Sequence, residues 1–248
     1  MKAKILILHA SGTNRHHEAK EACELSGASA DIVHMSALKS KPSLLDDYQA
    51  LVLAGGFSYG DALGAGKRLA LELNLNLQDS LQHFNAAQKG ILGICNGFQA
   101  LVQAGLLPAL EDNSASLSHN NSGHFECRWV RLMPNVKSLS PIIQKLKGPI
   151  YCPAAHGEGR FLTAKALPES HVAFYYQPQY GQMTIQYPDN PNGSQAAIAG
   201  VSNARGNILG LMPHPENHIY AWQHPRYRRG EVEGSGLALF QAFVDFIP

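Results

Sequence analysis

Apolar positions in the first 105 residues fall in short continuous runs, Ile5 to Ala10, Ala50 to Gly56 and Gly90 to Cys95, separated by stretches of helical spacing. The runs ILILHA, ALVLAGG and GILGIC lack the polar alternation of a half-exposed strand, so they predict strands buried on both faces between helix layers. Asp31 to Met35 adds a further strand. Between them the pattern predicts a helix after Asn14, with Asn14 as N-cap and Gly27 as stop, and helices from about Gly66 to Gln88. This rhythm describes βαβ units in an α/β fold, a mostly parallel central sheet flanked by helices.

From about Ser114 the period changes. Phe125, Cys127 and Trp129 face one way and Glu126 and Arg128 the other, as in a half-exposed strand. Further strands are predicted at Val172 to Gln177, Met183 to Tyr187, Ala196 to Ser202 and Ile208 to Met212, with turns at Asp189 to Ser194 and Asn203 to Asn207. An amphipathic helix, Leu237 to Phe246, closes the chain. The second half thus carries extra β structure. No repeat, low-complexity tract or Gly/Ser linker divides the sequence, so 1–248 reads as a single domain.

Composition narrows the partners. Lys and Arg number 20 against 19 Asp and Glu, a formal charge of +1 that offers no field for nucleic acid or an anionic membrane. No run of 18 apolar residues occurs, and the apolar stretch after Met-Lys-Ala-Lys is too short for a signal peptide. Cys23, Cys95, Cys127 and Cys152 lie 72, 32 and 25 positions apart, so there is no C-x-x-C pair for zinc or redox work. The expectation is a cytoplasmic protein with reduced thiols and no metal.

The chemistry concentrates in GILGICNGFQ, residues 90 to 99, where a buried strand ends at a cysteine and a helix pattern starts at once. Gly93 and Gly97 bracket Cys95 at minus two and plus two, the spacing of a nucleophile elbow, in which a sharp strand-to-helix reversal leaves no room for flanking Cβ atoms. Such a thiol is expected to stand exposed above the sheet, at a helix N-terminus that favours thiolate. A buried structural cysteine is the plainer alternative for Cys95 taken alone.

An activated thiol needs a base, and the base an orienting group. In Met212-Pro213-His214-Pro215-Glu216 the prolines are expected to hold His214 extended, which would point His214 and Glu216 to the same side. A zinc reading of His214 and His218 fails, because H-E-x-x-H requires Glu where Pro215 stands.

The glycines of AGGFSYGD, 54 to 61, do not make a phosphate loop: Asp61 stands where a P-loop needs glycine, Arg68 where it needs Ser or Thr, and Leu69 where a dinucleotide fingerprint needs glycine. Backbone N–H groups of Gly56 and Asn96 could instead form an oxyanion hole. His156-Gly157-Glu158-Gly159 reads as a substrate wall. Asn120 to Phe125 has the same character, and an ordinary hairpin turn explains it equally well. Arg226 to Arg229 reads as a solvated surface or a partner-protein contact.

Together, GGFSYGD (55–61), GICNGFQ (93–99), NNSGHFECRWV (120–130), HGEGRF (156–161), NPNGS (190–194) and GLMPHPE (210–216) resemble the class I (triad) glutamine amidotransferases, with a flavodoxin-like fold, and among them the glutaminase subunits of phosphoribosylformylglycinamidine synthase. The resemblance implies that Cys95 attacks the side-chain amide of L-glutamine, with His214 as base and then acid and Glu216 as its partner. It implies that Gln99, His156 and Gly157 hold the glutamine. It further implies no cofactor in this chain, with ATP and Mg on a synthetase subunit, PurL, that receives the ammonia, and a small subunit, PurS, in the assembly. Two departures, Arg15 with His16 and Asn217, lie outside the triad. A methionine directly before the first strand favours a free-standing subunit. A non-catalytic regulatory module and a Cys-His hydrolase or peptidase of similar architecture are the rival readings; the intact triad speaks against the first, GGFSYGD and NPNGS against the second.

Overall fold

The computed structural model describes residues 2–110, 115–178 and 186–247. The chain runs β1 (Lys4–His9), α1 (His16–Leu25), β2 (Ser29–His34), α2 (Met35–Ser40), β3 (Ala50–Leu53), α3 (Lys67–Asn76), α4 (Gln78–Ala86), β4 (Gly90–Ile94) and α5 (Asn96–Gln103). It continues through β5 (Ala115–Ser118), β6 (Glu126–Pro134), α6 (Pro141–Gln144), β7 (Ile150–His156), β8 (Arg160–Thr163), β9 (Val172–Gln177), β10 (Ile198–Ser202), β11 (Ile208–Leu211) and α7 (Leu237–Val244).

Nine strands form one sheet in the order β2-β1-β3-β4-β11-β10-β9-β6-β7, and β5 and β8 pair separately. The ladders from β2 to β11 are all parallel, and those from β11 to β7 are antiparallel. β3, β4 and β11 are buried at every residue, which is why their sequences are uninterrupted apolar runs. In β6, Glu126, Val130 and Leu132 are buried while Cys127 is exposed, so the expected alternation holds with the glutamate on the inner face.

The antiparallel half curls back over the parallel half. β4 and β7 are five places apart in the sheet, about 24 Å if flat, yet Cys95 Sγ at the end of β4 lies 3.8 Å from the Ala155 carbonyl oxygen of β7. This closure creates the enclosed space that holds the site.

Three local expectations need correction. Helix α1 is capped by Arg15, with no side-chain cap bond, rather than by Asn14. Ala196 and Ala197 belong to a 3-10 turn, and β10 begins at Ile198. Of the strand expected at Met183 to Tyr187, residues 183–185 lie outside the described residues, and Tyr187 is in a turn. Gly27, by contrast, does end α1, at φ 100°.

Candidate active site

Cys95 sits between β4 and α5 at φ 50° and ψ −107°, a left-handed conformation that costs a non-glycine residue about 1–3 kcal/mol and persists only where its surroundings impose it. A Cβ on Gly97 would come within 2.0 Å of Leu53 O, so that position demands glycine, and one on Gly93 would displace Leu101 Cδ1 at 2.5 Å and press on the Gly97 backbone at 3.0 Å. The Cys95 N–H donates to Leu211 O at 2.8 Å, which ties the elbow to β11. The thiol is only 5% exposed, not standing free above the sheet as expected, because β7 folds over it; it opens instead onto a cleft of about 230 Å³.

His214 enters from the neighbouring parallel strand, three residues past the end of β11. Its backbone N–H donates to Pro153 O at 2.7 Å, and its Nδ1 donates to Glu216 Oε1 at 2.7 Å. The Cys95 side chain lies near enough to the ring to raise its pKa, and its Sγ is placed 3.8 Å from Ala155 O. The two residues do meet, but not through an extended chain: Pro215–Asn217 form a 3-10 turn, and that turn folds Glu216 back onto the ring. Gly55 packs across the pair, since a Cβ there would lie 2.7 Å from His214 Cε1 and 3.4 Å from Cys95 Cβ.

Burial disfavours the imidazolium form of His214, but the hydrogen-bonded Glu216 carboxylate and the nearby Cys95 side chain outweigh it and hold its pKa well above the usual range. His156 goes the other way: burial, followed by the charge of His214, pushes it down to about 3. Asn120 fixes its tautomer. The Asn120 Nδ2 donates to His156 O and His124 O, so its Oδ1 accepts, from Gly159 N–H and from His156 Nδ1–H at 3.1 Å each.

Of the two expected oxyanion donors, Gly56 lines the cleft, and Asn96 is buried next to Cys95 without lining it. Gly56 is at φ 143°, and any Cβ there would lie within 2.8 Å of Gly12 O. The Asn96 N–H opens α5, where the first N–H groups have no partner inside the helix. The buried Asn96 side chain has a separate use. Its Oδ1 accepts from Ser58 N–H at 3.0 Å, and its Nδ2 donates to Asp61 Oδ1 at 3.0 Å and Gln99 Oε1 at 3.1 Å. Gln99 Nε2 in turn donates to Glu158 O, so the glycine loop, the elbow helix and the 156–159 turn are joined by amides.

All the residues expected at the site are therefore together. Gly56, Gln99, His156 and Gly157 line the cleft with Cys95, and His214 and Glu216 lie buried behind the thiol. Glu158 and Phe125, from the two segments read as substrate wall, line it too, as do Asp61 and His119, which had not been singled out from the sequence. For Asp61 the available signal was its place at the end of the glycine loop. No group of three or more metal-ligating side chains is arranged to hold an ion among the described residues, nor is any helix among them long and apolar enough to cross a membrane.

The chain is similar over its whole length to known proteins. It is 43% identical over 270 residues to the phosphoribosylformylglycinamidine synthase subunit PurQ of Treponema denticola, covering all of both chains. With the subunit of that name from Dehalococcoides mccartyi it shares 41% identity over 96% of this chain and 95% of the relative. Among solved structures, a chain of PurLQS from Thermotoga maritima superposes with a TM-score of 0.77 at 31% identity, with all of both chains covered. A glutamine amidotransferase from the same organism shares the fold alone, with a TM-score of 0.59 at 17% identity over 99% of this chain and 97% of the other. The CobB/CobQ-like glutamine amidotransferase domain matches residues 2–247, and with a thiol, an imidazole and a carboxylate aligned at the elbow, the chain belongs to that family.

Proposed function

We propose that this chain is the glutaminase subunit of phosphoribosylformylglycinamidine synthase, with Cys95, His214 and Glu216 as its catalytic triad. The observation that carries the reading is the buried, hydrogen-bonded pair of Glu216 and His214 set beside Cys95, which alone of the three lines the cleft. A cleft of about 230 Å³ is smaller than the roughly 300–1,000 Å³ of a drug-sized site, which suits an amino acid.

The Cys95 sulfur attacks the carboxamide carbon of glutamine while the N–H groups of Gly56 and Asn96 receive the developing oxyanion, each such donor being worth about 100- to 1000-fold. The imidazolium of His214 protonates the departing amine, and ammonia leaves a glutamyl thioester. His214, now neutral, takes a proton from water, whose oxygen attacks the thioester; the proton returns to the Cys95–His214 pair and glutamate departs. Glu216 keeps the ring in one tautomer and stabilises its charged form throughout. Gln99, His156 and Gly157 position the amino acid.

The ammonia passes to a synthetase subunit, PurL, with PurS in the assembly, and ATP and Mg bind there rather than here. Four free cysteines fit a reducing, cytoplasmic setting. The test is mass spectrometry after exposure to an electrophilic glutamine analogue: a label on Cys95 is expected, and a label on Cys23, Cys127 or Cys152 instead would end the reading.

A further inference from the structure

The cleft beside Cys95 carries an uneven charge. Of the side chains that line it, Asp61 and Glu158 are acidic, and none is Lys or Arg. Among the described residues neither carboxylate joins an ion pair. A half-buried carboxylate without a cation is an expensive arrangement unless a ligand brings one.

Asp61 is also held from behind. Its Oδ1 accepts from Asn96 Nδ2 at 3.0 Å and, more weakly, from Gly66 N–H at 3.4 Å, and both bonds fall on this one oxygen. The backbone that presents it is strained: Tyr59, Gly60 and Asp61 are successively left-handed, at φ 55°, 66° and 50°, and two of the three are not glycine. Burial raises the Asp61 carboxyl from its ordinary value, the bonds from Gly66 and Asn96 oppose that, and the nearby Glu158 charge adds to the rise, so an arriving cation relieves an existing cost.

Reach agrees. Asn96 follows Cys95 directly, with Cα atoms about 3.8 Å apart, and its side-chain amide touches Asp61, which bounds the Asp61 oxygen to within about 10 Å of the Cys95 Cα. The cysteine side chain, the ~5 Å from the carboxamide carbon of glutamine to its α-nitrogen, and a contact at each end together cover that distance.

We propose that Asp61 recognises the α-ammonium group of glutamine, making it the specificity-determining residue for an α-amino acid amide; the proposal rests on the glutaminase reading above. Glu158 lies on the same wall and adds to the negative field.

The test compares glutamine with 4-carbamoylbutanoate, which is glutamine without the α-amine, by ammonia release from the full chain with its synthetase partner. The wild-type protein is expected to favour glutamine in kcat/KM by about 10- to 100-fold, the range of a charge-assisted hydrogen bond. Asp61→Asn is expected to raise the KM for glutamine by a similar factor, to change kcat by less than about threefold, and to bring the two substrates level. Asp61→Glu, which keeps the charge, should recover part of the preference. A wild-type protein that treats the two substrates alike overturns the proposal whether or not a variant folds. So does an Asp61→Asn protein that keeps the preference, or that loses kcat at unchanged KM, the mark of a merely structural role. A wild-type protein that releases no ammonia from glutamine removes the glutaminase reading as well, whereas turnover with undiminished discrimination in Asp61→Asn removes Asp61 alone.

Discussion

The two halves of the site reach the cleft by opposite routes. Cys95 is placed by its immediate neighbours: a buried strand, two glycines at fixed spacing and a helix that starts one residue later. His214 is placed by residues from elsewhere, its N–H held by Pro153 of β7, its ring covered by Gly55 of the loop after β3, and its Nδ1 bonded to a carboxylate that no water reaches. A strained turn can be written in five consecutive residues because sterics act locally. A proton relay cannot, because its energetics depend on burial and on charges that only the assembled chain supplies.

Removing either side of this pairing should separate the roles. Cys95→Ala is expected to lower glutamine-dependent synthesis by at least about 1000-fold, while synthesis from added ammonium continues; loss of both activities would make Cys95 structural. Glu216→Gln, which spares the elbow, is expected to reduce kcat by about 100- to 10,000-fold through loss of tautomer control and imidazolium stabilisation.

The same variant has a pH signature. The folded pKa of His214 is raised, so its contribution to stability is fully present below the unfolded value of about 6.5 and is lost as pH rises toward about 10. Urea unfolding from pH 6 to pH 10 should therefore show a decline in the wild-type protein that is flatter in Glu216→Gln. An unchanged slope would mean that Glu216 does not hold the charge on His214.

Gly97→Ala attacks the elbow alone. Its Cβ would meet Leu53 O at 2.0 Å, an overpacking expected to cost about 1–3 kcal/mol and to lower Tm by several degrees in thermal unfolding. The smallest effect is expected from Asn14→Ala. A working N-cap is worth about 1 kcal/mol, but Asn14 makes no cap bond, so a change below about 0.5 kcal/mol in chemical denaturation is expected.

Cap residues illustrate how narrow the margin of sequence reading is. Asn14, Arg15 and His16 are adjacent, and only the path of the chain from β1, pinned by Asn14 and Arg15 N–H to Gly55 O, selects which of them starts α1. The His214–Glu216 pairing was readable from Pro-His-Pro-Glu, yet the local rule behind it was the wrong one, since a 3-10 turn rather than an extended strand brings the carboxylate to the ring. Asp61 shows a different gap. It ends a motif that was visible, but its function depends on facing a cleft whose other wall, His156 to Glu158, lies more than 90 positions away.

By itself the sequence determined the parallel βαβ core and the elbow at Cys95, because continuous apolar runs and paired glycines act through local sterics and burial. Only the tertiary structure decided that the antiparallel half would curl over the parallel one, covering the thiol and bringing Pro153, Ala155 and Glu158 to it. That closure follows from strand twist and from packing summed over nine strands, and no window of neighbouring residues contains it.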